Sequence, residues 1–246
     1  MKRLIAFIFA GCLAFVPFHA RAAIAQIGGG TLGSGSSVTT SLTIVTTADI
    51  PPGSLVDIGF ISRSGSAAIS SVNDTVSNTY NITTAGTYIS GRYGHAWSFT
   101  ANDIPLGTTI TLTMTASSAA SAGLNAFSGV SSSPLDVNYN LSSQTGASIS
   151  LGPTATLAQA NEVAIAVMGV AAVATFTETS GFTSANTFSA SGIGHIAFNI
   201  VAVTTAITYT ATQSVSQGYG GAILTFKAAA GGASGAPSLT TLGVGL

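Results

Sequence analysis

The chain has 246 residues with 6 Lys+Arg, 7 Asp+Glu and a single Cys; 5% of it is charged and 46% is apolar. An average soluble domain is about 25% charged, and this scarcity of Lys and Arg excludes a protein that neutralises nucleic-acid phosphates. The apolar content excludes an ordinary disordered chain, and 65 Ser and Thr residues supply hydroxyls where charges would normally stand.

Lys2 and Arg3 precede an apolar run from Leu4 to Phe18, and Ala20-Arg21-Ala22 fits a small-x-small cleavage site. This pattern predicts a signal peptide over 1–22 and a mature chain beginning at Ala23. The run is shorter than the roughly 20 residues a membrane-spanning helix needs, so no transmembrane span is expected in the mature chain. Phe9-Ala10-Gly11-Cys12 is loosely like a lipobox, which keeps lipidation of Cys12 as an alternative. Cleavage after Ala22 would leave no cysteine and hence no disulfide. Arg63, Arg92 and Lys227 would then face seven acids, a net charge of 3 − 7 = −4. No basic patch for nucleic acid or anionic lipid results.

Residues 23–36, with Gly28-Gly29-Gly30, read as a flexible lead-in. From there the apolar period is two, not 3.6. Val38 to Val45, Val56 to Ile61, Thr109 to Thr115, Val163 to Val170, Ile196 to Val203 and Gly221 to Phe226 are the predicted strands. In Thr109-Ile110-Thr111-Leu112-Thr113-Met114-Thr115 threonines alternate with apolar side chains, as a half-buried strand requires. Turn signals separate them at Pro51-Pro52-Gly53, Asn73-Asp74, Pro105-Leu106-Gly107 and Ser131-Ser132-Ser133-Pro134. The fold expected is all-β, an antiparallel β-sandwich or jelly roll forming one domain over 37–227. A Gly/Ala/Ser-rich tail over 228–246 follows. Tyr93-Gly94-His95 and Ile193-Gly194-His195 align at an offset of 100, and similar Thr-rich and Phe-terminated segments follow each. Two related β halves and chance likeness in a low-complexity chain are both open readings.

No nucleophile elbow, zinc-protease motif or phosphate-cradling loop is present, so no enzyme is expected. His95 and His195 are read either as satisfied structural residues or as a metal pair, for which few further ligands remain. Asp57, Asp74 and the Asn73-Asp74 turn offer hard oxygens that suit calcium, the only cofactor considered. Tyr93, Trp97 and Phe99 lie on one side of a strand with His95, and Tyr219 lies nearer a turn. Tyr93, Trp97 and Tyr219 are therefore the candidates for stacking on a sugar, although the same alternation describes a core-facing strand.

Several segments together resemble a family of secreted bacterial and phage β-sandwich modules. These are Ser71-Val72-Asn73-Asp74-Thr75-Val76-Ser77-Asn78-Thr79-Tyr80, Ala126-Phe127-Ser128-Gly129-Val130 with Pro134-Leu135-Asp136, Gln159-Ala160-Asn161-Glu162, and Ala222-Ile223-Leu224-Thr225-Phe226-Lys227. Ser77 stands where that family usually has glycine. The resemblance spans about residues 45–227 and implies a jelly-roll-like module, with no catalytic residues to transfer. The function expected is a secreted, non-catalytic structural, adhesive or self-assembling protein of the cell surface. A calcium-assisted carbohydrate-binding module and a phage particle or tail protein are the alternatives.

Overall fold

The computed structural model describes residues 23–230 except 90, 173 and 190–192. The expected signal peptide, Cys12 and the tail from 231 onward lie outside the described residues. Among those residues there are fifteen strands, all paired antiparallel, and no helix. Sheet I runs β1 (Ala25–Gln26), β9 (Ala120–Ser128), β4 (Leu55–Ser62), β7 (Gly91–Phe99), β6 (Asn81–Tyr88), with β2 (Gly33–Ser37) also on β9. Sheet II runs β10 (Val130–Leu151), β15 (Tyr209–Ala228), β11 (Glu162–Val170), β14 (Ile193–Val201), β13 (Thr183–Ser189), with β12 (Phe176–Glu178) on β15. Sheet III is β3 (Ser41–Val45), β8 (Thr109–Met114), β5 (Ile69–Asp74).

Side-chain alternation sets the layers. On β8, Ile110, Leu112 and Met114 are buried and join Val56, Ile58 and Phe60 of β4 in a core between sheets III and I. The other face of sheet I presents Leu55, Ile61, Tyr93 and Phe127 to Val163, Val167, Ile196 and Phe226 of sheet II. Each such aliphatic or aromatic side chain contributes about 1.5–3 kcal/mol on full burial. The two sheets approach closely at Gly59, where a Cβ would lie 2.8 Å from Ile196 Cδ1 and 2.9 Å from Val167 Cγ2. Only a residue without a side chain fits there.

The far face of sheet II has its own core, in which Ala164, Met168 and Ile223 meet Leu151, Tyr209, Phe182 and Ile207. Leu151 pairs with Tyr209 at one end of β15, yet its Cδ1 lies 2.8 Å from where a Cβ on Gly221 would be, past the middle of that strand. The β10–β15 ribbon therefore bends back over its own sheet. Its register shifts, such as that between Leu141 and Gln144, accompany that bend. The result is a layered β-sandwich, as the alternation predicted.

Two expectations differ from the structure. The Gly/Ser-rich stretch read as a lead-in is paired: Gly33 to Ser37 lie opposite Leu124 to Ala120 on β9. Glycine also lets β2 lie against β3, because a Cβ on Gly35 would sit 1.9 Å from the Thr43 carbonyl oxygen. The Ser131-Ser132-Ser133-Pro134 turn signal falls inside β10. β10 is an edge strand whose register shifts between Val130 and Leu135, a place where a sheet tolerates proline.

Candidate functional site

The chain has few ionisable groups, and the two histidines of the described residues each hold a carboxylate. On β7, Tyr93, Trp97 and Phe99 belong to the core between sheets I and II, so His95 faces the same layer. Its Nδ1 lies 3.0 Å from Asp57 Oδ1 on β4, and both residues are fully buried. Asn125 of β9 stands directly opposite Asp57. Asp57 Oδ2, His95 Nε2 and both amide atoms of Asn125 make no further protein hydrogen bond. The pair ties β7 to β4 within sheet I and is wholly enclosed by protein.

His195 sits differently. Ile196 packs toward sheet I, so its neighbour His195 points to the far face of sheet II. Phe176 of β12 stacks on the imidazole with ring centroids 4.4 Å apart. Glu178, two residues on, places Oε1 2.6 Å from His195 Nε2. From the edge strand β13, exposed Thr187 places Oγ1 3.0 Å from His195 Nδ1. A carboxylate only accepts, so Nε2 carries the proton toward Glu178, and in the neutral ring Nδ1 is left to accept from the Thr187 hydroxyl. Tyr209 lies close by; burial first, and the Glu178 charge second, push its phenol well above the usual range. Thr187 and Glu178 had no signal in the sequence, because their spacing to His195 matches no motif and Ser/Thr residues abound.

The two histidines are thus not brought together. Of the Gly-His segments that align in sequence, the first points its imidazole into the layer between sheets I and II and the second points its imidazole away from that layer. In a strand of period two, a slip of one residue is enough for that.

The three candidates for sugar stacking are also separated. Tyr93 is 1% exposed and donates its hydroxyl to the Leu141 carbonyl at 2.9 Å. Trp97, half-buried, packs edge-on to Phe226 and donates Nε1–H to Thr83 Oγ1. Tyr219 is buried in the far-face core of sheet II. All three serve packing, and no shared aromatic platform forms from them.

Of the carboxylates considered for calcium, Asp57 is enclosed beside His95 and Asp74 is occupied by protein donors. Asp74 accepts from the Val76 and Asn78 backbone N–H groups, from the Asn78 side chain and from the Tyr80 hydroxyl. This staple holds Ser77 at φ 65°, a left-handed conformation that glycine adopts at less cost. Glu162, at the start of β11, is fully buried, and burial pushes its carboxyl up to about 7, with Asp136 adding to the rise. Among the described residues no group of three or more His, Cys, Asp or Glu side chains is placed to hold a metal ion.

The fold and these clusters define an all-β sandwich in which each described histidine is paired with a carboxylate, Asp57–His95 fully buried and Glu178–His195 at the far face of sheet II. Comparison with family models, with curated proteins and with solved structures finds no match for the chain. Among the described residues no helix is long and apolar enough to cross a membrane.

Proposed function

We propose that this chain is a secreted β-sandwich with a structural, adhesive or self-assembling role at the cell surface, in keeping with the modules it resembles. The supporting observation is the chemistry of its sheet edges. β6 (NITTAGTY) and β13 (TSANTFS) are terminal strands of sheets I and II, and β3 (SLTIV) is terminal in sheet III. None of the three contains a charged residue. Monomeric proteins commonly guard such edges with lysine, proline or an inward charge, because an edge offers unpaired N–H and C=O groups to another chain. Here Val45 on β3 and Ile82 on β6 are exposed as well. The low overall charge leaves little repulsion between copies.

Light scattering on chromatographed residues 23–246 tests this reading. Association should grow with concentration at low salt and weaken when Ile82→Lys places a charge on β6. A protein that stays monomeric at every concentration refutes self-assembly.

A further inference from the structure

We infer that Thr187 is a nucleophilic acyl acceptor, activated by His195 and Glu178, which takes an acyl group from an ester or thioester donor. This goes beyond the structural role above, for which no reactive group is required.

The geometry separates this hydroxyl from the other Ser and Thr side chains among the described residues. Thr187 Oγ1 meets a ring nitrogen at 3.0 Å, and the opposite ring nitrogen meets a carboxylate oxygen at 2.6 Å. The arrangement is nucleophile, base and orienting acid in hydrogen-bonded sequence. His195 is buried and its ring plane is held by Phe176, so the base cannot turn away. Glu178 sets the tautomer that leaves Nδ1 basic toward Thr187. The hydroxyl itself is on an exposed residue of β13, the terminal strand of sheet II among the described residues. A carbonyl carbon can approach this hydroxyl from solvent. The Asp57–His95 pair supplies an internal contrast, having a similar acid–imidazole contact but no hydroxyl on the ring and no exposure.

In the reaction, Thr187 Oγ1 forms a bond to the donor's carbonyl carbon and its proton passes to His195 Nδ1. The tetrahedral adduct collapses by breaking the bond to the alcohol or thiol, which leaves with that proton. The products are an acyl ester on Thr187 and one free alcohol or thiol, with His195 neutral again. Glu178 is a positioning residue that also stabilises the transient imidazolium.

p-Nitrophenyl acetate is a suitable probe, read by nitrophenolate release and by peptide mass mapping of the full chain. The expected result is a burst of about one equivalent with the acetyl group on Thr187. Thr187→Ser should keep the burst. Thr187→Val should remove it at unchanged Tm, and His195→Gln should slow it roughly 100-fold, the scale of a general base. Glu178→Gln should alter the pH dependence of the burst rate, a change that loss of a merely structural contact would not produce. The inference is overturned if the native chain gives no acetyl-Thr187, or if His195→Gln acetylates Thr187 at the native rate.

Discussion

Replacing Glu162 with glutamine isolates the energetic effect of one buried carboxyl. Glu162 faces the Thr225 side of β15 and the carboxylate of Asp136, while Asp136 Oδ2 accepts from the Ala158 N–H at 2.7 Å. Burial is the main cause that lifts its folded value from 4.5 to about 7. Below pH 4.5 the group is protonated in both states and stability is pH-independent on its account. Between 4.5 and 7 the unfolded chain releases the proton and the folded chain keeps it. Folding stability therefore falls as pH rises through this window and levels off above it. The difference, 7 − 4.5 = 2.5 pH units, sets a ceiling on the order of 3 kcal/mol at 1.36 kcal/mol per unit. Glu162→Gln keeps the shape without the ionisation, so its stability should lack this slope and exceed that of the native chain at pH 8. Urea unfolding midpoints of both proteins from pH 4 to 9 measure the effect. A native chain that gains stability relative to Glu162→Gln between pH 5 and 8 refutes the reasoning.

Two further substitutions test the architecture. Asp57→Ala strands His95 between the main sheets and should cost about 3–5 kcal/mol in urea unfolding, whereas replacing Asp57 and His95 together by leucine should recover much of that loss. Ser77→Gly relieves a positive φ and should stabilise by about 0.5–1 kcal/mol, which a rise in Tm of a few degrees would report.

The sequence revealed most where one face of a strand is buried and the other is not. β8 is the clearest case, because Thr/Ile/Thr/Leu alternation names both faces. The apolar runs of β4, β11 and the end of β15 were legible for a different reason: they are buried on both sides. β2 and β10 were not legible. Their Gly, Ser and Asn residues carry no hydrophobic period, and their pairing is decided by neighbours such as β9 and β15 that are distant in sequence. The acyl-acceptor site was hidden for the same reason. His195 could be singled out as rare, but Thr187 and Glu178 reach it only through the β13–β14 register and the docking of β12 on β15. Burial of Tyr93 and Tyr219 likewise depends on which strand face meets which sheet, and alternation alone left both faces open.

The hydrogen-bond ladders divide the molecule in a way the layers conceal. Every pairing in sheets I and III joins residues of 25–128, and every pairing in sheet II joins residues of 130–228. Gly129 alone stands between these spans, with φ 75° and the Ala23 carbonyl oxygen 2.3 Å from where its Cβ would be. The seam between the main sheets is consequently a side-chain contact between two consecutive stretches of chain, much as a subunit interface joins two polypeptides. A chain threaded through a pore from its N-terminus could close all the ladders of the leading stretch before the trailing one emerges. Until then Leu55, Ile61, Tyr93 and Phe127 would remain open to solvent, and the trailing stretch would arrive as a tethered partner for that face.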